Sequence, residues 1–148
     1  MSARYRLSLE SQPSPEEVQI VEDGLNEYNH LYVPDDNYQP LTLFLRAMDS
    51  SVVGGLLGET YWSWLHVRSL WIHETLRRQG YGAQLLASAE EEAVRRGCCY
   101  VHLSTLDFQS LSFYQHRGYI IFGLLEDLPV GHKRSFLKKE LHPTDAET

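Results

Sequence analysis

Arg77-Arg78-Gln79-Gly80-Tyr81-Gly82 combines residue types that can hold an anion. A strand-like segment, Leu65 to Ile72, runs into it, and helical periodicity from Ala83 to Arg96 follows. The first turn of a helix carries backbone N–H groups without intrahelical partners, and the helix dipole adds roughly half a positive charge there. Glycines admit a phosphate close to the backbone because no Cβ intervenes. Arginines add charge-assisted hydrogen bonds. The competing reading is a helix start whose glycines serve packing alone. No Gly-Lys-Ser/Thr follows, so this is not a Walker loop. Ala83-Gln84-Leu85 lacks the third glycine or alanine of the dinucleotide fingerprint.

The loop does fit the pattern Arg-x-x-Gly-x-Gly, and a second anchor lies downstream in Ser110-Leu111-Ser112-Phe113-Tyr114-Gln115-His116-Arg117-Gly118-Tyr119. There a small residue precedes a Phe-Tyr pair, and Gly-Tyr closes the helix. In this order and spacing the two anchors resemble the GCN5-related N-acetyltransferase (GNAT) family, over residues 40–141 and more loosely before them. The resemblance implies acetyl-CoA as acetyl donor, with Arg77, Arg78, Gln79, Gly80, Tyr81 and Gly82 on its pyrophosphate. It also implies an α/β fold: a mixed, mostly antiparallel central sheet flanked by helices. Its fourth and fifth strands splay apart to form the acyl-CoA cleft.

Acetyl transfer to an amine sets two proton problems. An ammonium with a pKa of about 10.4 leaves on the order of one molecule in a thousand as nucleophile near neutral pH. A base must remove a proton, and the departing thiolate needs a proton or a hydrogen bond. Tyr114 matches the family tyrosine that points at the thioester sulfur, with a core aromatic as its structural reading. Family members often place a carboxylate on the fourth strand, but His66-Val67-Arg68-Ser69-Leu70 has none. Glu59 on the preceding strand ranks first as base, and His66 second, since imidazole titrates near neutral pH. The resemblance assigns the carbonyl oxygen and the pantetheine amides to backbone groups of Trp71 and Ile72. Asp107 or Gln109 stands where the family has a cofactor-binding asparagine, so only Ser110 is carried over as a contact there.

The elements that must position these residues follow from local signals. Arg4 to Glu10 alternates as a strand. Ser14-Pro15-Glu16-Glu17 starts a helix with cap, proline and acid in their usual places. Val18, Val21, Leu25, Tyr28 and Tyr32 form its apolar stripe, and Pro34 ends it. Leu41–Met48 and Val52–Tyr61 read as a hairpin around Asp49-Ser50-Ser51, followed by a strand over Trp64–Ile72. The helix after the loop turns Gly82, Leu85, Leu86, Ala89 and Ala93 to one face, points Glu90 to Glu92 mostly outward, and stops at Gly97. Then come a strand over Cys98–Thr105, a helix over Gln109–Arg117, and strands over Tyr119–Gly123 and His132–Leu141. Residues 1–148 read as one N-acetyltransferase domain with a frayed tail at 143–148.

Composition narrows the function classes. The net charge of −7 argues against a nucleic-acid binder. Between Leu7 and Leu45 there is no Lys or Arg, while acidic residues accumulate. A solvated helix face explains this, and so does a negative field that gathers a cationic amine. The expected acceptor is a small or flexible primary amine: polyamine-like, aminoglycoside-like or a peptide. The apolar runs are too short to span a membrane, and no signal peptide precedes the domain, which predicts a cytoplasmic protein. The adjacent Cys98 and Cys99 read as unbridged strand residues, and the scattered histidines give no metal site. Tyr61, Trp62 and Trp64 read as packing, a homodimer surface or an acceptor-stacking wall. Two rivals stand beside the enzyme: a non-catalytic acyl-CoA-binding regulatory module, and a nucleotide-phosphate binder without CoA.

Overall fold

The computed structural model describes residues 4–142. The chain divides into two compact units between Asp35 and Asp36. The first holds α1 (Pro15–His30). Ser14 Oγ accepts the Glu17 N–H at 3.1 Å, and Pro15 begins the helix, as the sequence pattern requires. Arg4–Glu10 forms no strand, contrary to its alternation. Alternation fixes which side chains would share a face, but a strand exists only where another backbone supplies ladder bonds, and no ladder includes this segment. The expected frayed tail, residues 143–148, lies outside the described residues.

The second unit contains β1 (Gln39–Arg46), β2 (Val52–Tyr61), β3 (Trp64–Ile72), α2 (Tyr81–Arg95), β4 (Tyr100–Leu106), α3 (Leu111–Gln115), β5 (Ile120–Glu126) and β6 (Lys133–Glu140). The strands form one sheet in the order β1-β2-β3-β4-β6-β5. Among the described residues only β3 and β4 pair in parallel. The expected mixed, mostly antiparallel sheet is therefore present, and β3 and β4 are its expected fourth and fifth strands. Trp62 and Ser63 take positive φ in the tight turn from β2 to β3.

One face of the sheet is the core. Leu41, Leu56, Leu65, Val67, Val101, Leu103 and Leu137 are buried there with Leu85, Leu86, Ala89 and Ala93 of α2. The small alanines let the helix backbone approach the strands. Replacing Leu86, 1% exposed, by Ala would cost about 2–5 kcal/mol. Glu90 departs from its expected outward position. Its carboxylate accepts the Tyr119 hydroxyl at 2.7 Å and pairs with Lys139 at 2.9 Å, linking α2 to β6. A helical repeat shows which face Glu90 occupies but not that Lys139 will meet it there.

The parallel pairing positions the site. It runs from Trp64↔Tyr100 to Val67↔Leu103 and ends there, although both strands continue. The expected splay is this fork. A bulge lies beside it: β2 pairs Leu57 with Ser69 and Gly58 with Val67, leaving Arg68 as the extra residue. Gly58 is required at the bulge, because a Cβ there would collide with the His66 carbonyl.

Candidate active site

Past the fork opens a cleft of about 720 Å³. Its walls include Leu70, Trp71 and Ile72 of β3, Arg77 to Ala83 except Gln79, and Gln109, Ser110, Phe113, Tyr114 and Arg117 around α3. The structure thus gathers Arg77, Arg78, Gly80, Tyr81, Gly82, Ser110, Tyr114, Trp71 and Ile72 in one place. Gln79 is not among the walls, and its amide donates to the Thr75 carbonyl at 3.2 Å. Arg117 is a wall residue that the sequence reading missed. Its guanidinium lies 4.1 Å from the Phe113 ring centroid, an arrangement no local pattern announces.

The two long helices start in opposite ways. α1 has a side-chain cap and two glutamates in its first turn. α2 has no side-chain cap and no acidic residue there. Gly80, at φ +88°, serves as its N-cap, and its carbonyl takes the Gln84 N–H at 3.1 Å. That bond leaves the N–H groups of Tyr81, Gly82 and Ala83 directed out of the helix end. Arg77 Nε donates to the Ile72 carbonyl at 3.0 Å and ties the loop to the end of β3. Cradle, arginines and missing acid suit a pyrophosphate.

Ladder geometry decides which β3 amides face the cleft. The His73 N–H donates to the Val53 carbonyl of β2 at 2.8 Å. Alternation then turns the Trp71 N–H toward β2 as well, opposite Gly55, and turns those of Leu70 and Ile72 toward the cleft. The expected Ile72 N–H is available. The expected Trp71 N–H is not, because the ladder uses it; Trp71 meets the cleft through its side chain, and Leu70 supplies the second amide.

Tyr114 is 7% exposed, with its ring centroid 5.1 Å from Phe113 and 5.7 Å from Tyr119. Burial pushes its hydroxyl up to about 12, so it remains a donor throughout the neutral range. Nearby, Asp107 faces β6 instead, accepting from the Lys133 N–H at 3.0 Å and pairing with His132 at 2.9 Å. Gln109 accepts the Leu106 N–H at 2.8 Å.

Glu59 and His66 do not line the cleft. They face each other across β2 and β3 on the opposite side of the sheet, next to the fork. Glu59 Oε2 lies 3.5 Å from His66 Nδ1 and 3.4 Å from the Arg68 guanidinium, which the bulge delivers. Across the last parallel rungs, His66 stacks on His102 with centroids 4.5 Å apart and planes at 10°. His102 Nε2 is 2.9 Å from the Tyr61 hydroxyl. Burial, and then the neighbouring His66, hold His102 below the usual imidazole range. Trp64 completes the group by stacking on Tyr100 at 4.7 Å. Glu59 and His66 are legible as candidates in the sequence, whereas the histidines look scattered along it. The pairing of His66 with His102 comes only from the parallel register.

Among the described residues no group of three or more His, Cys, Asp or Glu side chains could hold a metal ion. Cys98 is buried, Cys99 is exposed, and both are free. They precede β4 rather than belonging to it.

Comparison with known proteins accords with this geometry. A family model described as "Acetyltransferase (GNAT) family" matches residues 5–119. An acetyltransferase of Agrobacterium fabrum is 36% identical over 119 residues, covering 80% of this chain and 87% of that protein. The blasticidin-S acetyltransferase of Streptomyces morookaense is 41% identical over 91 residues, 61% of this chain and 67% of the relative. A crystal structure from Agrobacterium tumefaciens, assigned as an acetyltransferase, superposes with a TM-score of 0.85 at 33% identity, covering 92% of this chain and 99% of that one. With a glycine-started helix that lacks a side-chain cap beside a strand fork, and relatives of this similarity, the chain belongs to the GNAT family and is an acetyl-CoA-dependent acetyltransferase.

Proposed function

We propose that the chain, acting as a single domain over residues 1–148, transfers the acetyl group of acetyl-CoA to a primary amine by direct attack in a ternary complex. The fork carries this reading. Where β3 and β4 part, the cleft with Tyr114 opens on one face of the sheet, and the Glu59–His66 pair stands on the other. Donor and acceptor can then meet through the gap, each from its own side.

Pyrophosphate binding falls to Arg77, Arg78 and the N–H groups of Tyr81, Gly82 and Ala83. The Leu70 and Ile72 amides pair with the pantetheine arm and the thioester oxygen. His66 is the proposed proton acceptor, since β3 borders the fork and β2 lies about 4.8 Å farther away. The Glu59 carboxylate favours the tautomer protonated on Nδ1, which leaves the Nε2 lone pair for the amine proton. The amine attacks the carbonyl carbon, the C–S bond breaks, and the thiolate departs toward Tyr114. The thiolate of a thiol with a pKa of about 8.5 does not readily take a proton from a hydroxyl pushed up to about 12, so Tyr114 acts as a hydrogen-bond donor to the sulfur.

The proposed acceptor is a small or flexible cationic amine. The acidic run between Leu7 and Leu45 supports it, and so does the likeness to an enzyme named for blasticidin-S. The proposed location is the cytoplasm, consistent with two free cysteines. The proposed assembly is a homodimer, supported by the exposed Ile120, Phe122 and Leu124 of edge strand β5. The non-catalytic module loses its ground, because the family membership is that of an enzyme. An amine library incubated with acetyl-CoA, read by thiol release and product mass, tests the function. Turnover with cationic amines is expected, and release of thiol without any acetylated amine would overturn it.

A further inference from the structure

Arg134 of β6 stands on the same sheet face as His66 and His102, opposite Leu106 of β4. Its Nη1 donates to Ser104 Oγ at 2.9 Å. Its Nε is buried and has no hydrogen-bond partner. Among the described residues no carboxylate lies within ion-pair distance of it, whereas Arg68, Arg95, Arg96 and Lys139 each have one. A guanidinium presents five N–H donors in a planar fork; here one of them, on Nε, is buried and unpaired, and the half-buried remainder keeps donors open toward solvent. A carboxylate matches that fork with two parallel bonds.

The position of Arg134 gives the ligand its identity. Ser104 lies just beyond the last β3–β4 rung, Val67↔Leu103, and two residues along β4 from His102. Two residues of strand span about 7 Å. His66 stands one strand spacing, about 4.8 Å, to the side of His102, so a molecule whose amine meets His66 at the fork would carry any group on Arg134 roughly 8–9 Å away.

We infer that Arg134 is an acceptor subsite for a carboxylate, so that the substrate class is an amine bearing a carboxylate several bonds from the reacting nitrogen. This rests on the proposed amine acetylation and narrows it. It also separates the acceptor from a plain polyamine, which would meet Arg134 with like charge.

The test uses matched acceptors: γ-aminobutyrate, δ-aminovalerate and ε-aminocaproate, each beside its neutral carboxamide. The wild-type protein is expected to favour the best acid over its amide by roughly 10- to 100-fold in kcat/KM, the range of a charge-assisted pair. Arg134→Gln should bring the acid down to its amide through KM, leave the amide within about twofold, and keep the melting temperature. Arg134→Lys should restore part of the preference. Equal use of acid and amide by the wild type, or an equal loss for both in Arg134→Gln, overturns the subsite. Failure of both twins overturns it too. Plain diamines in the same screen then show whether amine acetylation itself stands.

Discussion

Glu59 and His66 are ladder partners on β2 and β3, and the carboxylate oxygen approaches His66 Nδ1 to 3.5 Å on the face away from Tyr114. With His66 beside the fork as the proposed proton acceptor, Glu59 is proposed as the residue that positions it. His66→Gln should lower kcat/KM by roughly 10²–10⁴-fold, the range of a lost general base. Glu59→Gln should lower it less, by about tenfold, and Glu59→Gln added to His66→Gln should cost little more, since the two act as a unit. Steady-state kinetics on the three variants checks the order. A larger loss in Glu59→Gln than in His66→Gln would make the carboxylate the base.

Tyr114 gives a prediction in which magnitude decides the role. Its hydroxyl has been pushed up to about 12 by burial, so full proton transfer to a thiolate is uphill, and stabilisation by a hydrogen bond remains. Tyr114→Phe should therefore lower kcat by about 10²-fold, the lower end for a lost transition-state donor. Acetyl-CoA affinity and the melting temperature should hold, because the ring contacts with Phe113 and Tyr119 survive. The alkaline limb of the wild-type profile should not belong to Tyr114, which stays protonated well past pH 10. Near-normal turnover in Tyr114→Phe would return the residue to the core.

Local signals carried much of this fold into view. The cap at Ser14, the breaks at Gly97 and Gly118, and the stripe Leu85, Leu86, Ala89 and Ala93 each depend on neighbours within a turn or two. The loop could be read for the same reason. What the sequence hid were relations between distant residues. His66 meets His102 only through the parallel register, and Arg68 reaches Glu59 only because β3 bulges. The side of the sheet that the Trp71 amide faces is equally hidden, because it depends on hydrogen-bond phase, which no side chain records. Arg4–Glu10 shows the converse: a clear local pattern without a ladder to complete it.

His102 links the site to acid stability. Its folded-state pKa is lowered first by burial and then by His66, while Glu59 acts in the raising direction. Tyr61 and Lys138 face it as well, from β2 and β6. With a lowered folded pKa the unfolded chain binds the proton more readily, so His102 subtracts stability as pH falls below the unfolded value of about 6.5. The penalty grows until the folded pKa is reached and vanishes above neutrality. His102→Gln should flatten the fall in melting temperature between about pH 6.5 and pH 5 and change little at pH 8. An equally steep fall in the variant would assign the acid sensitivity to other groups.

The two loop glycines should fail in different ways. Gly80 holds φ at +88°, where a Cβ would meet no neighbouring atom, so its need is conformational. Gly80→Ala should cost about 1–2 kcal/mol of stability for a left-handed non-glycine residue. Gly82 sits in α2, and a Cβ there would meet the Phe113 ring at 3.6 Å, an ordinary contact. Gly82→Val should therefore fold, yet its branched side chain would occupy the approach to the free N–H groups at the helix start. Calorimetry should show acetyl-CoA affinity falling at least tenfold in Gly82→Val, the loss of about one charge-assisted hydrogen bond. In the wild type, CoA and desulfo-CoA should compete with acetyl-CoA, and ATP poorly, because the proposed site holds the pantetheine arm as well as the phosphates. Unchanged affinity in a folded Gly82→Val protein would take the pyrophosphate away from this loop and leave its glycines to packing.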